Sequence, residues 1–138
     1  MRRLALLFTL ALAAFAQSGL LTRLKRIPEP AMQQSAGITD HEAQLLKGIA
    51  DDWQSALNAI STQERSFVFE ARLAAINSGE PSTWLPGRLQ QMADRRAQLA
   101  SARTRMVRTL LGDDRFEMLN SWEPPVPPKP AAAPRKRL

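Results

Sequence analysis

The sequence predicts an all-α fold: a thin helical hairpin or bundle of three to four helices, with a disordered N-terminal leader and a Pro-rich C-terminal tail. Three observations carry the prediction. From Trp84 to Leu111, Leu85, Leu89, Met92, Leu99, Met106 and Leu110 recur at alternating three- and four-residue steps, the spacing of a long helix that buries one stripe. Upstream, Leu45, Leu46, Ile49, Trp53, Leu57 and Ile60 repeat that spacing. No stretch reads as a strand.

A chain of 138 residues allows one domain, expected over residues 38–122. Residues 1–16 have the layout of a secretory signal. Arg2 and Arg3 precede the apolar run Leu4 to Ala13, and Ala14-Phe15-Ala16 is a small-x-small cleavage site. Cleavage after Ala16 by the general secretory route is expected. The rival is an uncleaved anchor reaching Leu21. Gln17, Ser18 and Gly19 interrupt that run, leaving it short of the ~20 apolar residues a span needs, so no stable membrane span is expected. The absence of cysteine rules out a lipobox, disulfides and thiolate chemistry.

Residues 17–37 read as a flexible leader. Pro28-Glu29-Pro30 and Ser35-Ala36-Gly37 punctuate it, and Leu24-Lys25-Arg26-Ile27 is a short basic patch. The first helix opens at Thr39, with Glu42 three residues on in a capping-box arrangement. Ser61 and Glu64 repeat that signature, so a second helix or a kink is expected there, followed by helix to about Asn77. That second stretch carries Phe67, Val68, Phe69, Ala71, Leu73, Ala74, Ala75 and Ile76. It is apolar most of the way round, as a central helix is, or one using a second face beyond its own core. Ser78-Gly79-Glu80-Pro81-Ser82 then makes a stop and turn. Ser82 or Thr83 caps the arginine-rich helix, Pro86 falls in its tolerant first turn, and Gly112 ends it. A short fourth helix begins at Asp113 and folds Phe116, Leu119 and Trp122 back onto the bundle. Residues 123–138, EPPVPPKPAAAPRKRL, form an extended, polyproline-like basic tail.

The net charge of +6 overstates how basic the folded part is. Without the signal and the tail, the body holds 13 basic and 12 acidic residues. No nucleic-acid partner is expected of it. Metal and cofactor binding are not expected either. His41 is the only histidine, and Met32, Met92, Met106 and Met118 do not replace the three or four convergent ligands of a zinc or copper site. With so few nucleophile–base combinations, no phosphate loop and no nucleophile elbow, catalysis is not expected.

The arginines remain. Helix 84–111 holds Arg88, Arg95, Arg96, Arg103, Arg105 and Arg108 against Asp94 alone. Arg96 and Arg103 occupy the slot that Leu89 and Leu110 fill one heptad either side, inside the apolar arc. Two readings stay open. In one, the arginines pair with Asp51, Asp52 or Glu70 across an antiparallel interface or a dimer seam. In the other, the stripe of leucine, methionine and arginine side chains lines an open cradle that holds an unfolded or partner polypeptide.

The layout resembles the Spy/CpxP-type periplasmic proteins, whose marker is a Leu-Thr-x-x-Gln motif. Its counterparts here are Ile38-Thr39-Asp40-His41-Glu42 and Leu111-Gly112-Asp113-Asp114-Arg115. The first opens the first long helix and the second follows the arginine-rich one. The resemblance spans residues 38–122. It implies a thin, curved helical hairpin that forms a homodimer and acts as an ATP-independent chaperone or as a stress-signalling accessory of the envelope. It also implies a periplasmic location, and that the concave client-binding face maps onto Arg88, Arg95, Arg96 and Arg103 with Leu89, Met92 and Leu99. An adaptor or regulator docking on a single protein partner is the alternative expectation. A membrane-anchored structural helical protein is the third expectation.

Overall fold

The computed structural model describes residues 19–27 and 29–130. The signal read at residues 1–16 and the last eight residues of the tail lie outside them. The described chain is all-α. Helix α1 runs through residues 19–25, α2 spans Pro30–Ala36, α3 Asp40–Ser78, α4 Leu85–Leu111 and α5 Asp113–Ser121. No helix among the described residues is long and apolar enough to cross a membrane.

The stretch expected to be a flexible leader is, over its described part, folded. Leu20, Leu21, Leu24 and Ile27 are all buried, while Lys25 and Arg26 are exposed. The basic patch is therefore the outer face of a short amphipathic segment whose other face enters the core. The proline and glycine read as punctuation are helix signals. Pro30 sits in the first turn of α2, where a missing N–H costs nothing. Gly37 ends that helix at φ 64° and ψ 37°. The Ile38 N–H then donates to the Gln33 carbonyl at 2.9 Å, and the Gly37 N–H donates to Gln34 at 3.3 Å, a Schellman closure that needs the left-handed residue. Met32 and Ala36 face inward, fully buried.

Helix α3 begins as its sequence requires. The Glu42 N–H donates to Thr39 Oγ1 at 3.2 Å, and the Thr39 N–H donates to Glu42 Oε1 at 3.4 Å. It does not break at Ser61. The 39 residues form one helix, about 58 Å long at 1.5 Å per residue. Gly79 closes it with positive φ. Helix α4 returns antiparallel beside it. Ser82 is not its cap: the Ser82 hydroxyl donates to the Ala71 carbonyl at 3.1 Å, pinning the turn to α3, and Trp84 stands at the N-cap position. Gly112 ends α4 at φ 78° and ψ 164°, an extended conformation at positive φ, and the same residue starts α5.

The core gathers at the end of the hairpin away from the α3–α4 turn. Ala43, Leu46, Ala50 and Trp53 of α3 meet Ala100, Val107 and Leu111 of α4. Leu20, Leu24, Ile27, Met32, Phe116 and Leu119 close over them from α1 and the turn after it, α2 and α5. Each large apolar side chain fully buried there contributes roughly 1.5–3 kcal/mol against its exposed state. Polar ties hold this base together. Arg115 donates to the Leu111 carbonyl at 2.9 Å, the Gly37 carbonyl at 3.1 Å and the Glu42 carboxylate at 2.8 Å. Arg23 Nε donates to the Trp122 carbonyl at 3.1 Å.

Candidate binding surface on the helical hairpin

Past Ser61 the hairpin continues without α1, α2 or α5, and only Ala71 and Met92 are buried there. This distal arm is two helices thick. Its tip is fastened by an edge-to-face contact between Phe67 and Trp84, with centroids 6.3 Å apart, and by the Arg88 guanidinium 5.8 Å over the Phe67 ring.

Three large apolar side chains of α3 on the arm face water. Phe69 is 63% exposed, Leu73 45% and Ile76 78%. At ~100° per residue they lie roughly 110–170° round α3 from its buried stripe, so they point away from the seam between the two helices. Arg65 and Arg72 flank them on the same face. Beside this stripe Glu64, Arg65, Val68, Phe69, Arg72 and Leu89 line an open pocket of about 520 Å³. A second, larger groove of about 770 Å³ lies on the base half. Leu45, Ile49, Met106 and Leu110 form its floor, and Arg105 stands at its edge. Helical phase puts Leu45 and Ile49 to one side of the buried α3 stripe and Val68 and Arg72 to the other. The two concavities therefore open on opposite faces.

The seven residues expected to form one cradle divide between surface and interior. Arg88 and Arg95 are exposed, and Leu89 lines the distal pocket. Met92 is 1% exposed and faces α3, so no polypeptide can reach it in the folded hairpin. Leu99 is half-buried against the core. Arg96 is half-buried and ion-paired with Glu64, and its Nη2 donates to Ser61 Oγ at 2.8 Å. The acceptors expected for it, Asp51, Asp52 and Glu70, are all exposed. The correction has one cause. Ser61 and Glu64, three apart on a continuous helix, face the same way, and what reads as a capping box is a two-point acceptor for a guanidinium. One heptad further along, Arg103 is half-buried with its Nη1 3.4 Å from Met106 Sδ. Its Nε, Trp53 Nε1 and Thr104 Oγ1 are buried without a hydrogen-bond partner among the described residues.

The exposed stripe was missing from the expected site. Its signal was the nearly all-round apolar pattern from Phe67 to Ile76. Among the described residues no group of three or more His, Cys, Asp or Glu side chains stands together to hold a metal ion.

Fold and surface together define the class: an all-α protein with a core at one end of a long helical hairpin and an apolar, arginine-bordered arm at the other. No family model, curated protein or solved structure matches the chain.

Proposed function

We propose that this protein binds other polypeptides without catalysis, as an ATP-independent holdase of the Spy/CpxP type in the bacterial envelope. One observation carries the reading. Phe69, Leu73 and Ile76 are exposed together on an arm that does not need them for its own packing. Exposed apolar residues in a contiguous, polar-rimmed stripe mark an interaction surface. Arg65 and Arg72 beside them supply donors to backbone carbonyls and acidic segments of an extended chain. The open pocket suits a flexible client better than a rigid small molecule, which an enclosed cavity would grip. The same reading makes the protein periplasmic, with residues 1–16 removed, and a homodimer. The client surface is the distal stripe with Arg65, Arg72 and Leu89, not the buried Met92, the paired Arg96 or Arg88, which stacks on Phe67.

The test is light scattering of guanidine-denatured malate dehydrogenase during refolding, with residues 17–138 and no nucleotide. Suppression near equimolar ratio is expected, weakened by salt. Phe69→Ser with Ile76→Ser should lose most of it while helicity holds, because both side chains are exposed. Arg96→Ala should lower stability by about 1 kcal/mol, as a half-exposed pair with one further hydrogen bond does. It should leave suppression intact at temperatures where the variant is folded. No suppression over a wide excess, or equal suppression by the Phe69/Ile76 double variant, would reject the arm as the client surface.

A further inference from the structure

The tail is the one sequence motif that neither the core nor the arm absorbs. Its root is fixed: Trp122 is half-buried against the core, and its carbonyl accepts from Arg23 Nε at 3.1 Å. The chain leaves that anchor at φ −66° and ψ 131°, within the polyproline II region. From Glu123 to Pro130 every residue is exposed and none is in regular secondary structure, with Val126 89% exposed. Pro124, Pro125, Pro127, Pro128 and Pro130 have fixed φ. Each residue that precedes one of them is itself confined to the extended region.

A polyproline II helix has three residues per turn, so its edges are read every third residue. One edge here is Pro124, Pro127 and Pro130. A second is Pro125 and Pro128. The third carries Glu123, Val126 and Lys129. Proline thus recurs about 9 Å apart along one edge, with Lys129 two residues beyond Pro127. A stiff spacer has no use for this pattern, since stiffness does not depend on which edge carries which residue. A groove does. Aromatic-lined grooves take the proline ridges of a helix that is already ordered, and a carboxylate at the groove's end selects the cation. The tail beyond the core carries Lys129, Arg135, Lys136 and Arg137 against Glu123 alone, so the partner must be acidic at its rim.

We infer that residues 123–130 are a docking peptide for an SH3-type domain, meaning an aromatic-lined groove bordered by carboxylates. Pro124 and Pro127 enter the groove and Lys129 reaches the acidic rim. Docking is independent of the arm. A partner held at Trp122 sits at the base and leaves Phe69, Leu73 and Ile76 free.

The experiment titrates the protein, with its tail complete, against an isolated SH3 domain that reads Pro-x-x-Pro-x-Lys ligands, by calorimetry. Saturable one-to-one binding is expected. Pro124→Ala with Pro127→Ala should abolish saturation, and Lys129→Glu should weaken binding at least about tenfold, the loss of one charge-assisted contact. None of these changes should alter the melting temperature or the scattering assay, because the tail lies outside both the core and the arm. Absence of saturation with the unaltered tail would overturn the inference. So would equal binding by the double proline variant, which would reduce the association to unspecific charge. Either result leaves the holdase reading to stand or fall by its own assay.

Discussion

Arg96 and Arg115 are two half-exposed arginines that do different work because of what the neighbouring helix places opposite them. Arg96 enters the apolar arc of α4, where an unpaired charge would be costly, and Ser61 with Glu64 meets it from α3. Arg115 of α5 gathers Gly37, Glu42 and Leu111 where α2, α3 and α4 meet it. Its hydrogen bond, helped by those from the Thr39 hydroxyl and backbone and opposed by partial desolvation, holds the Glu42 carboxyl below the ordinary carboxylate range. A carboxylate whose pKa is lower in the folded state stabilises fully above its unfolded value. The contribution drains away as pH falls through the folded one. Glu42→Gln should therefore be less stable than the parent at neutral pH, and the gap should close as the solution is acidified below the glutamate range. Urea midpoints measured down a pH series decide it. A gap that stays constant with pH would mean that the Arg115 contact contributes through packing and not through charge.

At the scale of elements, local signals were legible wherever a single backbone group settles the matter. Thr39 with Glu42, the Pro86 turn, Gly79 and the short helix after Gly112 are all as the sequence predicts, because each depends on neighbours three or four residues away. What failed were the places where the same local pattern serves a distant partner. Ser61-x-x-Glu64 is a cap only if the helix stops, and contact with Arg96, 32 or more residues on, is not written in the local spacing. The leader failed for the opposite reason. Leu20, Leu24 and Ile27 keep helical i, i+4, i+7 spacing, but over a stretch too short to hold a helix alone, so its helices exist only because the base of the hairpin covers them. Hence a prediction for α1. Leu24→Ala should cost about 2–5 kcal/mol, as other fully buried leucines do, whereas Lys25→Ala, at an exposed position, should stay within about 0.5 kcal/mol. Denaturant unfolding of the two variants measures both. Equal, negligible losses would return residues 19–27 to the status of a solvated leader.

The molecule as a whole puts its stability at one end and its exposed apolar surface at the other. The base has helices from three sequence regions around Trp53, Leu46 and Val107. The arm has two helices, two buried side chains and a ring contact at the tip. Opening free energies follow the local density of buried apolar contacts. In native-state hydrogen exchange the amides of residues 65–78 should therefore exchange through openings well short of global unfolding, while those of residues 43–57 exchange only with it. This gradient bears on function. On the holdase reading proposed above, a surface that accepts extended chains of varied sequence benefits from a support that can adjust its two helices against each other, provided that the adjustment does not reach the core. Denatured client should then slow exchange in residues 65–78 and 85–92 and leave residues 43–57 unchanged. If client instead slows exchange along the Leu45–Met106 groove, the polypeptide site belongs on the base, and the arm's exposed stripe has another partner.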